Sequence, residues 1–223
     1  MSSKIFLGAA LALTVALIDT QGASISNGDF ETGGAVGGTG FTSSVPTGWS
    51  NGTGASGTAG LLNNDQFSLV TSNSPANIAY LTGDRSFTQT IGETVADNLS
   101  LQLTFKVGVR NSGGTPLPTD FEAGLYTTGG TELQKATIAQ VAGGTLTSDL
   151  KTVSIQFDAG VGHGQNGQAI EVRLISTTGN TGSQTIFDDV TISVVPEPTT
   201  YALVSGLGLL GMAAYRRHKL RQA

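Results

Sequence analysis

The side chains able to do chemistry are few and scattered. The 223-residue chain holds two histidines and no cysteine. His218 lies in a basic tail. His163 stands alone in Gly160-Val-Gly-His-Gly-Gln-Asn-Gly167, without the His-x-x-x-His or His-Glu-x-x-His spacing that aims two imidazoles at one metal. No serine occupies a Gly-x-Ser-x-Gly elbow, and the absence of cysteine removes disulfides and thiolate metal sites together. Oxygen chemistry remains. Between Ser24 and Val195 stand 14 Asp and Glu against 6 Lys and Arg, a net charge of −8. Such a surface suits divalent cations and lacks the basic footprint that nucleic acid requires. No catalytic constellation is legible, so the sequence predicts a non-enzymatic role. A small surface hydrolase with an unrecognised site is the alternative, since a triad need converge only in space.

These groups must be positioned by strands. Leu99, Leu101, Leu103, Phe105, Val107 and Val109 alternate with Ser100, Gln102, Thr104, Lys106 and Gly108, the period-two pattern of a strand with one buried face. Val153, Ile155 and Phe157 repeat it, as do Ile170, Val172 and Leu174. Further strands are expected at 67–71, 78–81, 86–91, 121–127, 137–141 and 184–194. Gly-rich turns separate them, and residues 33–60 read as a long loop of low complexity. Many short strands without a convincing internal helix predict an all-β, antiparallel sandwich over residues 24–194.

Three stretches carry a resemblance: Asn27-Gly-Asp-Phe-Glu31, Pro46-Thr-Gly-Trp49 and Phe187-Asp-Asp-Val190. Together they resemble the galactose-binding-like jelly roll, the fold of many carbohydrate-binding modules. In several such families the first and last strands lie side by side and share a structural calcium. The resemblance implies Glu31 and Asp188 (or Asp189) as ligands, and an all-oxygen shell suits calcium. Trp49 is open to two readings, an aromatic platform for sugar or an anchor packing its loop to the sandwich. Tyr80 and Tyr126, both within expected strands, are further ligand-binding candidates of the same kind.

The two ends address the chain. Met1-Ser-Ser-Lys4, an apolar run over 5–18 and the small, polar Asp19-Thr-Gln-Gly-Ala23 have the layout of a signal peptide over residues 1–23. Near the other end, Val195-Pro-Glu-Pro198 precedes an apolar run and then Arg216, Arg217, Lys219 and Arg221. The apolar run, Tyr201 to Tyr215, extends ~23 Å as a helix, and flanking threonines and snorkelling basic side chains lengthen its reach. The basic end is expected in the cytoplasm. Within the run, Gly206-Leu-Gly208-Leu-Leu-Gly211 matches a dinucleotide fingerprint only in letters, having no strand before it. The order of proline motif, transmembrane helix (199–215) and arginine cluster over 195–223 resembles the PEP-CTERM sorting signal. That resemblance implies an exported protein held briefly in the inner membrane and recognised at Pro196, Glu197 and Pro198 by the processing enzyme exosortase. It also implies a final place at the cell surface or in the extracellular matrix. The whole reads as a structural or adhesive component of an exopolysaccharide matrix, with carbohydrate binding open to it. A glycosylated spacer without ligand is a further alternative.

Overall fold

Strand alternation becomes two facing sheets. The computed structural model describes residues 22–32, 36, 40–52, 57–63, 77–111, 120–177, 183–195, 206, 208–213, 216–217 and 220. The strands are β1 (Phe41–Thr42), β2 (Ser50–Asn51), β3 (Ala59–Asn63), β4 (Asn77–Leu81), β5 (Ser86–Thr94), β6 (Ser100–Asn111), β7 (Phe121–Thr127), β8 (Glu132–Ala136), β9 (Lys151–Asp158), β10 (Ala169–Ser176) and β11 (Ser183–Val194). One sheet has the order β1-β3-β4-β11-β6-β9 and the other β2-β5-β10-β7-β8. Every pairing is antiparallel. The result is a jelly-roll-like β-sandwich.

The core follows from the pattern. Leu101, Leu103, Phe105, Val107 and Val109 of β6 turn inward against Ile170, Val172 and Leu174 of β10, all essentially inaccessible. Phe105, Phe121 and Phe187 form a three-ring cluster with centroids 6.0–6.2 Å apart in tilted and edge-on pairs, arrangements that suit the ring quadrupoles. Strand β11 lies inside the sheet, between β4 and β6.

The Asn27–Glu31 turn closes this arrangement. Asn27 and Phe30 take positive φ values of 52° and 57°. Asn27 pays the smaller steric penalty there, because its short amide bonds locally: it accepts from Thr32 N and donates to Thr47 O. Gly28 accepts from Val190 N at 2.9 Å, and a Cβ on it would lie 1.9 Å from Val190 O. Only glycine lets the turn lie this close to β11.

Two expectations need correction or completion. The segment expected as a strand at 137–141 is a 3-10 turn, Ile138–Gln140. Thr137 and Gln140 cap it reciprocally, so the backbone is satisfied locally and leaves the ladder; the strand is instead β8, just before. The loop expected over 33–60 contains β1, β2 and the start of β3. The strand expected at 67–71 lies outside the described residues, as do residues 1–21 of the signal segment. No helix among the described residues is long and apolar enough to cross a membrane. Residues 208–213 are helical, and Leu209, Leu210 and Met212 are exposed.

Candidate active site

Over β3, β4 and β11 the six-stranded sheet carries apolar side chains on both faces. Leu62, Ile78, Tyr80 and Ile186 form a buried cluster separate from the sandwich core, with Leu150 packed against it. Tyr80 pairs across the ladder with Ile186, and Leu62 with Ile78. Beside Ile186 on the next strand stands Gly108. The 147–150 segment crosses above it, with Leu150 Cδ2 at 3.3 Å and Thr147 O at 3.0 Å from where a Cβ would be. With no side chain at Gly108 that segment packs down onto the row, so Tyr80 (2% exposed) and Ile186 (0%) floor an apolar trough that the chain itself covers.

Polar pairs stand at both ends of the floor. Gln184 pairs with Arg110 on one side of the Ile186–Gly108 row, and Asp188 with Lys106 on the other. At ~3.3 Å per residue these end rows lie about 13 Å apart. Arg110 Nη1 donates to Gln184 Oε1 at 2.9 Å, and burial pushes its guanidinium below the usual arginine value. At the other end Asp188 is fully buried and accepts from Asp189 N at 2.8 Å. A bulge between Asp188 and Thr191, with φ of 47° at Asp189, turns the Asp189 carboxylate to Lys106 Nζ at 2.5 Å. That contact is the main reason the Lys106 ammonium titrates above its ordinary value. A hydrophobic floor with a few polar groups at its ends is the composition of a small-molecule site.

The other residues singled out from the sequence fall in several places. Glu31 Oε1 accepts from Asn77 N at the start of β4, one strand from Asp188. Carboxylates from opposite ends of the chain therefore reach one corner of the sheet. Asp189 is occupied by Lys106, and among the described residues no three His, Cys, Asp or Glu side chains converge as a metal site. Trp49 is 6% exposed, lies 5.5 Å from Phe30 and donates Nε1–H to Asn27 O at 3.1 Å. Its ring is an anchor for the 27–49 loop and offers no open platform. Tyr126 lies on the opposite sheet under Arg173, whose guanidinium carbon sits 4.8 Å from the ring centroid. Pro196, Glu197 and Pro198 lie outside the described residues, and Arg216 and Arg217 are exposed in helical backbone. Arg110, Gln184, Ile78 and Ile186 were not legible as site residues. Their one signal is the unbroken apolar run Ile78-Ala-Tyr-Leu81, in contrast to the alternation elsewhere.

Comparison with known proteins bears on these geometries. A family model described as HpiC1 cyclase matches residues 21–193, and the PEP-CTERM protein-sorting motif matches residues 194–217. No curated protein matches the chain. Among solved structures, the Stig cyclase Fisc from Fischerella sp. TAU, in complex with (3Z)-3-(1-methyl-2-pyrrolidinylidene)-3H-indole, is 22% identical. The match covers 78% of this chain and 98% of that one, with a TM-score of 0.63. A cyclase from Fischerella sp. TAU in complex with 4-(1H-indol-3-yl)butan-2-one gives the same identity and coverage and a TM-score of 0.64. An arabinose-bound α-L-arabinofuranosidase is 14% identical, over 77% of this chain and 26% of that one, with a TM-score of 0.52. These likenesses show a shared fold. The sorting motif implies export, membrane-associated sorting and recognition by an exosortase. The expectation of a non-enzymatic domain is overturned by the cyclase family match over residues 21–193. From residue 21 to residue 193 the chain belongs to the HpiC1-like family of cyclases.

Proposed function

We propose that this is an exported cyclase, delivered to the cell surface or matrix by its C-terminal tail, whose organic substrate lies on the Tyr80–Ile186 floor when the 147–150 segment moves off it. The observation that carries the reading is the second buried apolar cluster, set between Arg110–Gln184 and Asp188–Lys106. A cyclisation joins two atoms of one molecule, so its first demand is a substrate held folded with the reacting atoms close. An apolar floor of Tyr80, Ile78 and Ile186 serves that demand. The second demand is a proton delivered to one end of an unsaturated system and taken back after ring closure. The buried Asp188 carboxyl group is placed to exchange that proton. Arg110 and Gln184 hold a polar group at the far end.

The test uses 4-(1H-indol-3-yl)butan-2-one, the compound bound by one of the solved cyclases, as a probe. Calorimetric titration of the purified protein is expected to show saturable binding, weakened at least about tenfold in Tyr80→Ala, the loss of one well-packed aromatic contact. Binding that ignores both Tyr80→Ala and Arg110→Met would remove the trough from consideration.

A structural calcium held by Glu31 and Asp188 is an alternative proposal, in which Asp188 is a ligand and not the proton carrier. What supports it is that Glu31 bonds Asn77 N at the start of β4, the strand beside Asp188 on β11, close to the Gly28–Val190 junction, and that carboxylate oxygens are the ligands a hard cation selects. Asp189 does not fit the ligand set, since its carboxylate holds Lys106.

A further inference from the structure

The opposite face of the sandwich carries a groove that the cyclase reading does not use. It lies on the outer face of the five-stranded sheet, has a volume of about 390 Å³, and is lined by Asn51, Ser86, Thr88, Thr128, Glu171 and Arg173. That volume is within the range of small-molecule sites, yet its lining is the reverse of the trough's. Hydroxyls, an amide and one ion pair surround a single apolar side chain, Ile175.

The ion pair is fixed in place. Glu171 and Arg173 stand two residues apart on β10, so both point out of the sheet. Arg173 Nε donates to Glu171 Oε1 at 2.6 Å, and Nη2 also contacts this oxygen. The guanidinium lies over the Tyr126 ring, which pairs with Glu171 across the ladder. Two contacts from different directions thus set the plane of Arg173. Below it the Tyr126 side chain is 5% exposed, and its hydroxyl has no hydrogen-bond partner among the described residues. The protein has therefore buried a donor here without satisfying it, which is uncommon in a purely structural sheet face.

Charge selects the ligand. Arg173 is neutralised by Glu171 within the groove, and Glu122, Glu132 and Lys135 on β7 and β8 add one net negative charge nearby. A phosphate or carboxylate gains nothing from such a field, and a cation finds its carboxylate already paired. What the lining matches is a neutral molecule with closely spaced hydroxyls, each able to donate and accept, and with C–H faces to lay on Ile175 and the flat guanidinium. We infer that this groove is a second ligand site, distinct from the cyclase trough, and that it takes a short neutral saccharide. The two sites face away from each other, so occupancy of one leaves the other open.

The test is calorimetric titration of the full chain in detergent with neutral hexasaccharides: cellohexaose, xylohexaose, laminarihexaose and maltohexaose. Saturable binding of at least one is expected. Arg173→Met should weaken it about tenfold or more, the effect of losing one charge-assisted hydrogen bond. Thr88→Trp, at a partly exposed position on the groove wall, should abolish it by filling the groove. Tyr80→Ala should leave it unchanged. Failure of all four sugars to bind overturns the inference. So does binding that survives both Arg173→Met and Thr88→Trp, or binding lost in Tyr80→Ala.

Discussion

Replacing Tyr126 by Phe should make the protein more stable, and increasingly so as the solution becomes alkaline. The hydroxyl is buried without a partner among the described residues, and an unsatisfied buried polar group costs roughly 1–3 kcal/mol. Phe keeps the ring under Arg173 and removes that cost, so about 1 kcal/mol is expected at pH 8, or ~2–4 °C in Tm for a domain of this size. The alkaline part follows from titration. Burial, with Glu122 and Glu132 nearby, pushes the Tyr126 phenol up to about 12, whereas an unfolded tyrosine titrates near ~10. The native state holds this proton more tightly. Its contribution to stability is therefore complete below pH 10 and is lost as pH climbs from 10 through 12. At pH 11 the loss is about 1.4 kcal/mol. The variant lacks the group and escapes that loss, and titration of the other tyrosines cancels between the two proteins. Urea unfolding at pH 8 and pH 11, followed by the fluorescence of Trp49, reads both quantities, since the chain has one tryptophan and it is buried. A variant less stable at pH 8, or one that loses as much as the parent between the two pH values, would refute the reasoning.

Three other expectations concern the frame and the tail. Gln89 donates Nε2–H to Ser26 O and Gly48 O and accepts from Ser26 N through Oε1. Gln89→Leu strands three backbone groups and should cost about 3 kcal/mol in urea unfolding; a cost below about 1 kcal/mol would mean that the amide is dispensable. If Glu31 and Asp188 share calcium, chelation should lower Tm. With calcium at a hundredfold over its Kd the ion contributes about 2.7 kcal/mol, and an unchanged Tm would remove the site. Glu197→Ala should leave unprocessed precursor in the inner membrane on fractionation, while normal delivery of that variant would separate sorting from the Pro-Glu-Pro motif.

Legibility differs sharply between the two faces of each strand. The inner faces of β6, β9 and β10 are readable because a one-sided strand must alternate when its other face meets water. β3 escapes notice because Ala59-Gly-Leu-Leu62 is buried on both faces, and an unalternating run of four carries no period to detect. The 3-10 turn at 138–140 reads as strand because Thr137 and Ile138 favour extended backbone on propensity, while the Thr137–Gln140 cap that decides the matter is a side-chain geometry. The jelly-roll outline is recoverable because Asn27–Glu31 and Phe187–Val190 mark a place where the backbone must pass within contact distance of itself. Gly28 and the positive φ of Asp189 leave traces in residue type.

The proposed cyclase site is hidden for a related reason. Catalytic motifs are legible when one loop or helix supplies several groups at fixed spacing. Here Tyr80, Arg110, Gln184, Ile186 and Asp188 come from β4, β6 and β11, and only the ladder register makes them neighbours. The acidic charge and the absence of motifs constrain nucleic-acid and metal chemistry, not the folding of an organic substrate on a sheet. The signal that does exist lies in β4. All five of its residues, Asn77 to Leu81, are buried, although β4 belongs to a two-layer sandwich whose outer faces should meet water. A strand that is apolar on both sides in such a fold requires something on its outer face, and Leu150 of the 147–150 segment supplies part of that cover. In this chain the outer side chains are Ile78 and Tyr80, and they cluster with Leu62 and Ile186 away from the core. Apolar residues at outward strand positions, flanked by isolated charged or amide residues two positions away, are therefore the trace that the proposed site leaves in this amino-acid sequence.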